Sequence, residues 1–217
     1  TQWPSSAASD VYKRQVVASR LALYLWDSVP NMNMHDLVDQ GQFVKESQIE
    51  NQAKQMTMDP RARSKFHDFL IHWLEMNAEE LPTKSNQKYP DFSPILALDL
   101  RRSLFRTIEK VVWEKKGHFE DFLRMESFES NQAIAQYYGM QFPKEKNPTD
   151  FFSFRSSNIK RQGLHTHPYL LASHSYAEES SPIHRGVFVS RKILGRTLRP
   201  PKAVSYTHLR AHETEAY

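Results

Sequence analysis

Four histidines fall between residues 165 and 184: His165, His167, His174 and His184. Clustered imidazoles can ligate zinc or take an axial position on haem iron. The spacing alone does not build such a site. His165 and His167 stand two apart beside Pro168, so they cannot share a helix face as histidines four apart do. The simpler reading makes these side chains hydrogen-bonding or surface groups, and no residue is assigned to a metal. The best-defined local motif is Ser181-Pro182-Ile183-His184-Arg185-Gly186. A serine near a histidine suggests a nucleophile with its base, but no Gly-x-Ser-x-Gly turn surrounds it. Helix capping by Ser180 or Ser181, a start at Pro182 and close packing at Gly186 account for the motif better. Arg185 then remains to pair with a carboxylate from elsewhere. His167 and Arg185 are the two candidate cofactor-binding residues, and no catalytic residue is assigned.

Other chemistry-bearing types offer less. Glu79-Glu80, Glu120-Asp121 and Glu178-Glu179 are paired acids, but general acid–base work needs carboxyls facing one another across a cleft, and adjacent residues point apart. Met32, Met34, Met56, Met58 and Met76 read as core packing rather than soft-metal ligands. Six glycines form neither a P-loop nor a dinucleotide fingerprint. The chain has no cysteine. That excludes disulfides, thiolate metal sites, cysteine nucleophiles and covalent c-type haem attachment within these residues.

The elements that must position these residues read as helices. Val17, Leu21, Tyr24 and Leu25 make one apolar stripe, ended by Pro30 and Asn31. A short helix over 35–40 stops at Gly41, and Ser47 caps another that runs to about Met58. Asp59-Pro60 is a strong start signal, opening a helix to about Met76 that buries Phe66, Phe69, Leu70, Trp73 and Leu74. Residues 77–94 read as a loop. Ser93-Pro94 opens a long helix over 94–116 with Leu104, Phe105, Ile108, Val111 and Val112 on one face and Gly117 at its end. Short helices follow over 118–125 and 131–138, then an irregular or linking stretch over 143–160, a short helix after His167-Pro168, and a last one from Pro182 to Leu194 stopped by Gly195. Pro200-Pro201 is extended. No alternating run is long enough for a strand. The fold class expected is therefore all-α: a multi-helix domain followed by the helical start of a second domain.

The 217 residues suffice for one domain or two small ones, and 39% hydrophobic with 25% charged content is ordinary for a globular chain. No apolar run approaches the roughly 20 residues of a membrane span. The net charge of +4 comes from interleaved acids and bases, which argues against a nucleic-acid binder. Residues 155–202 are the exception, with bases in excess. Both ends carry another signature. Residues 5–15 and 205–214 resemble in-frame translations of sequencing-library adapters, so 1–15 and 204–217 are expected to be artefactual and are set apart from fold reasoning.

Three stretches then carry a family resemblance. The first is Ala18-Ser19-Arg20-Leu21-Ala22-Leu23-Tyr24-Leu25-Trp26 with Gln55-Met56, Met58-Asp59-Pro60-Arg61-Ala62-Arg63 and Trp73-Leu74. The second is Phe128-Glu129-Ser130-Asn131 with Ala135-Gln136-Tyr137-Tyr138-Gly139. The third is Gly163-Leu164-His165-Thr166-His167-Pro168 with Ser181 to Gly186, Ile193-Leu194-Gly195 and Pro200-Pro201. Together they resemble the domains of large planctomycete-type cytochrome c proteins. The resemblance implies a helical domain of unknown function over 16–142, a linker over 143–160 and the opening of a cytochrome-like domain over 161–203. It also implies a larger, periplasmic or otherwise extracytoplasmic parent protein. Haem c is expected in the parent's C-terminal part, because the family's Cys-x-x-Cys-His would lie beyond Ala203. The partners implied are the parent's other domains and a redox partner, and an Arg185 contact with a haem propionate belongs to the same expectation. The leading function is a non-catalytic module serving electron transfer. The alternatives are part of an oxidoreductase or polymer-degrading enzyme whose active site needs other domains, or a helical adaptor that binds a protein or polyanion through residues 155–202.

Overall fold

The computed structural model describes residues 6–76, 80–114, 117–155 and 162–199. Helix α1 runs from Ser6 to Trp26, so it passes unbroken through the boundary at residues 15 and 16. Its buried face is Ala18, Ala22 and Trp26, four apart, flanked by Val17, Leu21 and Leu25. Tyr24, expected on the apolar stripe, is 75% exposed. The small alanines are what allow α2 (Met32–Asp39) and α4 (Pro60–Trp73) to approach α1 closely. Asn31 caps α2 by accepting from the Met34 amide at 3.0 Å. Helix α3 (Glu46–Met56) is not capped by Ser47 as expected. Instead the Gln48 side chain reaches back and accepts from the Lys45 and Val44 amides at 3.0 and 3.2 Å, half of a capping-box arrangement. The Trp26 indole donates to the Met56 carbonyl at 3.0 Å and closes this N-terminal cluster.

Asp59 caps α4 as its sequence signal requires, accepting from the Arg61 amide at 2.9 Å. The helix stops short of Met76 because Glu75 takes a left-handed conformation, φ 53°. The chain then folds back, and Met76 enters the core. Helix α5 (Pro94–Glu109), capped by Ser93, continues as a π-helical turn over Lys110–Glu114. It is the central element. Ala97, Leu100, Ser103, Leu104 and Ile108 are fully buried, and each such leucine contributes on the order of 2 kcal/mol by its burial.

Helix α6 (Phe119–Arg124) leads into strand β1 (Ser127–Ser130), and helix α7 (Gln132–Tyr137) follows, capped by Asn131. Strand β2 (Phe152–Arg155) pairs antiparallel with β1, Phe128 opposite Phe154 and Glu129 opposite Ser153. This corrects the all-α expectation: the fold is mostly helical with a two-stranded sheet. A 3-10 turn (Leu164–Thr166) precedes α8 (Pro168–Ser173). Last come α9 (Pro182–Phe188) and a π-helical turn over Val189–Ile193. Two hydrophobic clusters result. One holds α1 to α3. The other joins α4 and α5 to Ile134 and to Leu164, Tyr169, Leu170 and Phe188. Residues on both sides of the 143–160 segment therefore share one core. Pro200-Pro201 and residues 204–217, expected above to be artefactual, lie outside the described residues.

Candidate functional site

The clearest convergence of polar side chains sits where α5, β1 and the start of α8 meet. Ser103 and Thr107 are four apart on α5, so they share the face turned to β1. Thr107 donates its hydroxyl to the Ser103 carbonyl at 2.7 Å and accepts from the Glu129 amide at 2.9 Å. Ser103 donates its hydroxyl to the Glu129 carbonyl. His167, 4% exposed, approaches Ser103 Oγ with Nε2 at 3.1 Å. Its Nδ1 accepts from the Tyr169 amide at 3.2 Å and so caps α8. An accepting Nδ1 places the ring proton on Nε2. The chain of donation is therefore His167 to Ser103 to the Glu129 carbonyl. The Glu129 carboxylate is held by Lys110 at 2.8 Å.

This direction decides what the arrangement can do. A serine nucleophile needs a neighbouring base to take its proton. Here the imidazole donates toward the serine, and the serine proton is spent on a backbone carbonyl. Ser103 is also fully buried. The geometry fastens three elements together, satisfying groups that would be costly to bury unpaired.

The other histidines do not join His167. His165 folds over Gly163: a Cβ on that glycine would lie 2.7 Å from the imidazole Cε1. His174 packs its ring 4.4 Å from Phe188, and burial pushes its pKa down despite nearby Glu75. His184 is exposed beside Tyr176, the ring centres 5.2 Å apart. Among the described residues, no three histidine or carboxylate side chains gather in a way that could hold a metal ion. Ser181 is buried and caps α9 through the His184 amide at 3.3 Å, so its motif is used structurally. Arg185 is half-buried, and among the described residues its guanidinium has no hydrogen-bond or ion-pair partner.

Residues 13–140 match the family model PSD4, described as a protein of unknown function (DUF1592). The chain belongs to this family. Residues 161–216 match a second model, PSCyt3, also described as a protein of unknown function (DUF1588). Both are planctomycete cytochrome c-associated domains of unknown function. No curated protein and no solved structure matches the chain. The polar junction thus joins the two matched regions, Ser103, Thr107 and Glu129 from PSD4 and His167 from PSCyt3. The association with cytochrome c raises haem c, and the residues present do not fit its covalent attachment or ligation by His167. The chain has no cysteine for covalent attachment, and both ring nitrogens of His167 are engaged within the fold.

Sequence reasoning singled out His167 and Arg185 but missed Ser103, Thr107 and Lys110. A signal existed. Two hydroxyl residues four apart interrupt the apolar face of α5 next to Leu104 and Ile108. That pattern marks a buried polar partner, though not which one.

Proposed function

We propose that the chain is a non-catalytic helical module of a larger, extracytoplasmic c-type cytochrome-like protein, where it supports a haem domain that serves electron transfer. One observation carries this reading. At the junction of the PSD4 and PSCyt3 regions, the groups able to do chemistry are consumed in holding the two regions together.

The test uses the parent protein, produced in a host that attaches haem c. Its haem content and reduction potential are compared with those of a variant carrying Ser103→Ala. The reading expects the same haem content and potential with a lower melting temperature. Loss of a substrate turnover activity in that variant, with folding intact, would put a catalytic group at the junction and overturn the reading.

A further inference from the structure

The loop before α5, the end of α7 and the α8–α9 segment line an open pocket of about 290 Å³. Its walls are aromatic: Tyr89, Phe92, Tyr137, Tyr138 and Tyr176 line it. Tyr137 meets Tyr138 edge-on at 5.1 Å and Phe92 at 6.1 Å, so the wall is a packed unit. The size lies at the lower end of the roughly 300–1,000 Å³ of small-molecule pockets, which suits a one-ring ligand.

Two cations face this space. Lys84 places its ammonium on the Ala172 carbonyl at 2.9 Å, the Tyr176 carbonyl at 2.8 Å and the Ser175 hydroxyl at 2.7 Å. All three acceptors are neutral. Among the described residues no carboxylate lies within ion-pair distance of Lys84, and burial lowers its pKa. Arg185 also lines the pocket, likewise without an acidic partner among the described residues. Glu179, an exposed residue, is the one acid among the lining residues, although the Asp91 carboxylate also acts on Tyr137. Cations outnumber acids among the lining residues, two to one, and the guanidinium supplies a flat fork of donors that matches a carboxylate in two-point contact. Aromatic faces beside that fork would hold a ring.

We propose that this pocket binds a small carboxylate carried on a single six-membered ring, with the carboxylate on Arg185 and the ring against the tyrosines. Two kinds of molecule share that chemistry, an aromatic acid and a sugar acid. The inference stands apart from the cytochrome reading, since it concerns a ligand of this chain alone.

Calorimetric titration of the chain with benzoate and with glucuronate separates the two, with benzamide and glucose as uncharged counterparts. One acid is expected to bind with Kd of about 1 mM, at least about tenfold tighter than its counterpart, and more weakly as salt is raised. Arg185→Gln should weaken it about tenfold, while Arg185→Lys retains part of the affinity. Tyr176→Ala, at a 58% exposed position, should weaken it with an unchanged melting temperature. Equal affinity for acid and uncharged counterpart, no loss in Arg185→Gln with folding intact, or no binding of either acid at about ten times that concentration would each overturn the proposal.

Discussion

Replacing His167 by alanine isolates what the junction contributes. The change removes three things: the acceptor for the Tyr169 amide, the donor to Ser103, and a buried ring packed 5.5 Å from Phe128. A lost N-cap costs about 1 kcal/mol, a lost buried hydrogen bond about 1 kcal/mol, and the space left by the ring adds a comparable amount. The sum is about 3 kcal/mol, a large fraction of the roughly 5–15 kcal/mol of a typical domain. His167→Asn separates the parts. Asparagine is a good N-cap but too short to reach Ser103, so it should lose about 1–2 kcal/mol. Ser103→Ala combined with His167→Asn completes a double-mutant cycle, with a coupling of about 1 kcal/mol. Urea denaturation of the whole chain reads all of these. A loss below about 0.5 kcal/mol for His167→Ala, equal losses for the alanine and asparagine variants, or no coupling would refute the reasoning.

Three further outcomes follow from other sites. Gly163 has φ +83°, and a Cβ there would meet the Leu123 carbonyl at 2.7 Å; Gly163→Ala should cost at least ~1–3 kcal/mol, seen as a lower melting temperature. Asp59 is held at a pKa of about 2 by hydrogen bonds from the Arg61 side chain and amide, against an ordinary 3.8. Because the folded value is depressed, its contribution is complete above about pH 4 and fades as pH falls toward 2. Subtracting the acid-unfolding curve of Asp59→Asn from that of the parent chain should show this window, and a flat difference would count against it. In hydrogen exchange, amides of α8, which pack into the shared core, should be protected nearly as well as those of α5. Residues 197–199, beyond the π-helical turn, should exchange faster.

Much of the helical framework was legible because caps are local. Asp59-Pro60, Ser93-Pro94, Asn131 and Ser181-Pro182 each start a helix within a residue of the expected place, since the cap bond spans only two or three residues. The sheet was not legible. Each strand has four residues, too few to show alternation, and Ser127 pairs with Arg155 far along the chain. The buried face of α1 misled for another reason: close packing selected Ala18 and Ala22, while bulkier Tyr24 turned outward. At the candidate site, His167 stood out by its type. Its role depended on Ser103 and the Tyr169 amide, contacts that tertiary packing creates and spacing does not encode.

The proposed division, a structural junction in this chain and haem in another part of the parent protein, can be tested directly. The direct measurement is the optical spectrum and reduction potential of the haem-loaded parent protein, with and without His167→Asn, alongside thermal melting. An unchanged spectrum and potential with a lowered melting temperature are expected. A shifted haem absorption band or potential, with melting unchanged, would make His167 a group that acts on the haem and would contradict it.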